Sequence, residues 1–89
     1  TIDNMPTISI FYGMRIRMNY HEHQPPHFHV EYQEYEASIN IMTGTVTGHM
    51  PRRAMHLIWA WLDEHQTELL DDWERVRQRQ PLKPIDPLT

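Results

Sequence analysis

The chain of 89 residues contains no cysteine. That absence excludes disulfides, thiolate nucleophiles and zinc ribbons together. No apolar run approaches the roughly 20 residues that a bilayer-spanning helix needs, and no charged-then-apolar leader opens the sequence. A soluble, cytoplasmic domain without a membrane partner is the expectation. Positive charge is also scarce: twelve carboxylates stand against eight Lys and Arg, a formal net charge of −4. Nucleic acid would therefore find no global attraction here, and any RNA contact needs a local basic face. The sequence has no Gly-rich phosphate loop, nucleophile elbow or HExxH pair, and no repeat, low-complexity tract or internal linker.

What is present suffices for one small core. Hydrophobic residues make up 39% of the chain, three of them tryptophan, and a chain this short builds a single domain. Residues 1–4 precede a start-like Met5 and read as an N-terminal extension or expression remnant. Residues 5–89 then form one α+β domain.

Two periodicities divide that domain. From Thr7 to His49 the pattern alternates, and from Pro51 to Gln80 it repeats with a helical period. Ile8, Ile10 and Tyr12 read as one strand face. Met14, Ile16 and Met18 alternate with Arg15, Arg17 and Asn19, and Phe28, Val30 and Tyr32 alternate with His27, His29 and Glu31. Tyr35, Ala37, Ile39 and Ile41 suggest a fourth strand, with a short fifth around Val46 after Thr43-Gly44. The expectation is an antiparallel sheet of four to five strands over about 7–49. Two helices follow, about 52–64 and 67–79, packed on one face and ending in an extended, proline-bearing tail. Pro51 suits the first helical turn, and Thr67 can cap the second helix.

Residues 21–29 read His-Glu-His-Gln-Pro-Pro-His-Phe-His, placing four of seven histidines within nine positions. Imidazole can act as acid, base or neutral ligand near neutrality, and the two prolines stiffen the loop. If the apolar faces of the paired strands coincide, Arg15, Arg17, His27, His29 and Glu31 share the opposite face, with His21 and His23 at its rim. Three readings follow. A nucleic-acid-cleaving site would use two of the histidines as base and acid, with an arginine on the phosphate. A metal site would use His27 and His29 with His23 or His21 as a third ligand, and Glu31 as ligand or orienting group. It would suit zinc, or a divalent redox metal such as iron, nickel or copper. The plain alternative is a solvated sheet face with histidines bonded to loop carbonyls. Trp59, off the main helix stripe, and Met55 offer a patch for a non-catalytic protein–protein interaction.

Met5-Pro6-Thr7-Ile8, Phe11-Tyr12-Gly13, His23-Gln24-Pro25-Pro26-His27-Phe28-His29-Val30, Thr43-Gly44, Pro51-Arg52-Arg53-Ala54, Trp61, His65, Glu68-Leu69 and Trp73 resemble a small bacterial family catalogued as domain of unknown function 4160. The resemblance runs from Met5 to about Leu88, and the His-X-Pro-Pro-His-Phe-His stretch is its most distinctive part. Such proteins are often encoded beside another small protein, an arrangement similar to toxin–antitoxin pairs. The resemblance thus implies a toxin-like chain with a small antitoxin-like partner, and it points to His23, His27 and His29. His21 departs from the pattern. The leading expectation is action on RNA or a phosphate substrate through His23, His27 and His29, assisted by Arg17. The alternative makes the same three histidines metal ligands. A homo-oligomer is compatible with either.

Overall fold

The computed structural model describes residues 4–89. The expected N-terminal extension therefore lies, for residues 1–3, outside the described residues. Five antiparallel strands form one sheet in chain order: β1 (Thr7–Phe11), β2 (Met14–Arg17), β3 (His27–Tyr32), β4 (Tyr35–Asn40) and β5 (Val46–Gly48). A single helix, α1 (Arg52–Arg77), follows. Consecutive strands pair as neighbours, as a meander does, through short turns except for the longer connection over residues 18–26 between β2 and β3. Two of the turns have two residues, and in Tyr12-Gly13 φ is 48° and 79° between the paired Phe11 and Met14. Positive φ at both central residues matches the twist of the flanking strands.

Alternation sets the two faces of β2 to β4. Met14, Ile16, Phe28, Val30, Ala37 and Ile39 are buried on one side, while Arg15, Arg17, His29, Glu31 and Ser38 share the other. Strand β1 breaks the pattern. Its register shifts between Thr7 and Ser9, so Ser9 pairs with Ile16 and Ile10 with Arg15. One extra residue in a strand flips everything after it to the opposite face. Ile8 and Phe11 are consequently buried, whereas Ile10 and Tyr12 are 58% and 60% exposed. The sequence expectation that Ile8, Ile10 and Tyr12 share one face is corrected by this bulge.

The expected pair of helices is corrected as well. Helix α1 runs through 26 residues, with non-helical angles confined to His65 (φ −124°, ψ 20°). No glycine or proline interrupts the sequence from Arg52 to Gln80, so nothing removes a backbone donor or favours a loop there. Leu62 and Leu69 are seven residues apart, two helical turns, so the apolar stripe of Ala54, Ile58, Trp61 and Leu62 continues through Leu69, Trp73 and Val76. His65 bends that stripe without ending it, and its ring hydrogen-bonds Glu68 at 2.6 Å.

The stripe packs on the apolar face of the sheet. Trp61, fully buried, lies 5.1 Å from Phe11 and 5.7 Å from Phe28 between ring centroids. Residues 80–89, expected as an extended tail, have neither helix nor strand and are tied down at several points. The Tyr20 hydroxyl donates to the Gln80 carbonyl, the Lys83 N–H to Asp72 Oδ1, the Ile85 N–H to the Ile8 carbonyl, and the Trp61 indole N–H to the Asp86 carbonyl. Ile85 is buried with the core. All of this covers one face of the sheet and leaves the polar face open.

Candidate metal centre

Strand β3 presents His27 and His29 away from the core because Phe28 and Val30, at the alternate positions, are fully buried. The connection from β2 brings a carboxylate to them. The Tyr20 N–H donates to the Asn4 carbonyl, the His21 N–H to Asn19 Oδ1 and the Glu22 N–H to the Asn19 carbonyl. The Gln24–Pro25 peptide is cis, and the Ile41 N–H donates to the Pro26 carbonyl, fastening the corner to β4.

Held in this way, Glu22 spans both rings. Its Oε1 lies 2.8 Å from His29 Nε2 and its Oε2 lies 3.2 Å from His27 Nε2. One ligand atom from each of Glu22, His27 and His29 falls within 4.8 Å of the other two. The imidazoles touch edge to face at 5.1 Å, and the buried Trp73 lies 5.2 Å from His27. All three site side chains are mostly sheltered, with 15–28% exposure. Burial alone pushes the Glu22 carboxyl upward. Hydrogen bonding to His29 and the charges of His27 and His29 outweigh it, so the group ends below its ordinary range.

The hydrogen bonding of His27 constrains what the site can hold. Its Nδ1 lies 2.8 Å from the Pro25 carbonyl oxygen, which can only accept, so Nδ1 carries the proton. In a neutral ring Nε2 then points a lone pair at the Glu22 carboxylate. A positive charge between the two groups relieves that repulsion. Donation from the far ring nitrogen to a backbone carbonyl is also the arrangement that orients metal-bound histidines.

The sequence-derived candidates fall in different places. His27 and His29 come together. His23 is exposed, its Nδ1 3.1 Å from the Gln24 carbonyl, and it is outside the three-residue cluster. Arg17 lies directly across from His29, its Nε donating to the Met5 carbonyl and a terminal nitrogen to Glu31 at 3.1 Å. Glu31 thus serves Arg17, and Glu22, not Glu31, is the carboxylate beside the two imidazoles. Glu22 was missed because it sits in a loop, where alternation says nothing about direction. Its one signal was its position between His21 and His23. Trp73, read as core, is buried as expected but also adjoins His27. Met55 is buried, and Trp59 donates its indole N–H to the Gly44 carbonyl, so these two do not form a shared exposed patch.

The class defined by these features is a small α+β domain, five antiparallel strands under one helix, carrying a two-histidine, one-carboxylate cluster on its open sheet face. The chain belongs to the family described as Domain of unknown function (DUF4160), whose model matches residues 13–74 and so spans Glu22, His27 and His29. No curated protein and no solved structure matches the chain. No helix among the described residues is long and apolar enough to cross a membrane.

Proposed function

We propose that the protein is a metal-binding module in which Glu22, His27 and His29 hold one divalent first-row transition ion. The observation that carries this reading is the convergence of two imidazole nitrogens on one carboxylate, with His27 Nδ1 donating to the Pro25 carbonyl. Metal–ligand bonds of about 2.1 Å place neighbouring ligand atoms roughly 3–3.4 Å apart. The O–N separations of 2.8 and 3.2 Å, one to each carboxylate oxygen, are of that size, and the three ligand atoms lie within 4.8 Å of one another, so side-chain rotation must close the widest gap. An ion there replaces the lone-pair repulsion at His27 Nε2 with a bond, and replaces the hydrogen bond at His29 Nε2 with another. Nitrogen and oxygen donors without sulfur suit zinc, iron(II) or nickel. Three protein ligands leave further positions open toward the groove beside the site, as in catalytic rather than structural centres.

The test is elemental analysis of protein purified without an affinity tag, followed by calorimetric titration with zinc. One ion per chain is expected, with binding lost in a His27→Ala/His29→Ala variant. A metal-free protein that gives no heat with zinc, iron(II) or nickel overturns the reading.

A second reading, toxin-like action on RNA, is favoured by the placement of Arg17 across from His29. Here His27 and His29 would exchange protons with a ribose hydroxyl and a leaving oxygen, and Arg17 would turn from Glu31 to the phosphate. Such cleavage would persist in chelator and fail in His29→Ala. Chelator-sensitive cleavage would return the chemistry to the metal.

A further inference from the structure

The groove beside the cluster, about 390 Å³, is lined by Glu22, His27 and His29 on one side and by Ser38, Asn40 and Thr47 on the other. Strand register orders this surface. His29 pairs with Ser38 and Ser38 with Thr47, so Arg17, His29, Ser38 and Thr47 form one row across β2 to β5. His27 pairs with Asn40 in the next row. Neighbouring strands are about 4.8 Å apart, so the hydroxyl of Ser38 stands one strand away from the ligand His29.

The donors on this floor are uncommitted. Asn40 Oδ1 accepts the Met42 and Thr43 N–H groups, leaving its amide nitrogen as a donor. The Ser38 and Thr47 hydroxyls and that amide nitrogen have no hydrogen-bond partner among the described residues. Thr45 accepts from the Thr43 hydroxyl and keeps its own proton to donate. Charge points the same way. A divalent ion held by one carboxylate and two neutral imidazoles keeps a net charge of +1. Glu22 is the one carboxylate lining the groove; beyond it on this face stand Glu31, paired with Arg17, and Glu36 across from Glu31.

We propose, resting on the metal reading above, that this groove binds a small oxyanion, a carboxylate or a phosphate. One oxygen completes the coordination of the ion, and another accepts hydrogen bonds from Ser38, Asn40 and Thr47. A neutral polyol would match the hydroxyls but not the residual charge.

The test uses the full chain loaded with cobalt(II), whose visible absorption reports changes of coordination. Oxalate, acetate, inorganic phosphate and glycerol are titrated separately. Saturable spectral change with an anion and none with glycerol is expected, and comparison of phosphate with the carboxylates identifies the source of the oxyanion. A Ser38→Ala/Thr47→Ala variant should bind cobalt as the parent does but bind the anion about a hundredfold more weakly, since two hydrogen bonds to a charged acceptor are lost. Cobalt binding without any anion response, an equal response to glycerol, or unchanged anion affinity in the variant overturns the oxyanion site while leaving the metal site standing. Failure to bind cobalt or zinc at all overturns both.

Discussion

Replacing Glu22 by Gln separates a ligand from a structural brace. In the metal-free protein the amide fits the existing geometry. Its oxygen can accept from His29 Nε2, and its nitrogen can donate to the His27 Nε2 lone pair that Pro25 leaves facing it. Metal-free E22Q should therefore stay within about 1 kcal/mol of the parent at pH 8, the net scale of one hydrogen bond. Metal binding should differ sharply. At zinc equal to 100 Kd, ligation stabilises the parent by about 2.7 kcal/mol. For a domain of this size each kcal/mol moves Tm by about 4–8 °C, which makes a rise of roughly 10–20 °C. Loss of a charged ligand weakens affinity by about a hundredfold or more, since even outer-shell partners of metal ligands are worth 10–100-fold. At the same zinc concentration E22Q then retains about 0.4 kcal/mol of stabilisation, a shift of roughly 2–3 °C. Thermal melts followed by circular dichroism, with and without zinc, read both effects. A zinc-dependent shift in E22Q equal to that of the parent would refute the ligand assignment. So would a metal-free E22Q that is grossly unstable, because the carboxylate would then be holding the loop rather than waiting for an ion.

Other perturbations test the fold and its electrostatics. Gly48 has φ +108°, and a Cβ there would sit 2.7 Å from the Glu36 carbonyl oxygen. Gly48→Ala should lower stability in urea by about 2 kcal/mol or more; a near-native midpoint would contradict the β4–β5 register. Trp61→Ala should cost about 3–5 kcal/mol in the same assay, and a loss below ~1 kcal/mol would mean the indole is not the wedge between helix and sheet. Asp72 is buried with Oδ2 unpartnered, and burial raises its pKa. A raised carboxyl favours the protonated fold, so its effect is a loss of stability as pH climbs from the ordinary value through the raised one. Asp72→Asn should remove that slope and equal or exceed the parent at pH 7; an unchanged profile would contradict it. Glu22 acts in the opposite sense. Its lowered carboxyl stabilises the fold above the ordinary range near pH 4.3, and that contribution disappears as pH falls through the lowered value. In E22Q the acid limb of the stability profile should be shallower, and an identical limb would contradict the assignment.

Where one physical rule dominated, the sequence was readable. The direction of His27 and His29 followed from the alternation of β3, because a strand buried on one face offers no other way to arrange Phe28 and Val30. Arg17 fell across from His29 for the same reason. Where two rules competed, it was less so. Ile10 obeys local alternation, yet the bulge at Ile8–Ser9 overrides it, and nothing in Thr-Ile-Ser-Ile announces an extra residue. Thr67 looks like a cap, but with no glycine or proline nearby the helix passes through it, and only His65 departs from helical angles. Glu22 was hidden for a third reason. The course of a loop is set by contacts far away in sequence, here Asn4 with Tyr20 and Ile41 with Pro26, and residue spacing does not encode them.

The most direct measurement of the central claim is an anomalous difference map from crystals grown with zinc. One peak about 2.1 Å from a Glu22 carboxylate oxygen, His27 Nε2 and His29 Nε2 is the expected result. A peak only at other histidines, such as His49 or His56, or a cluster left with Glu22 bridging two metal-free rings at saturating zinc, would contradict it.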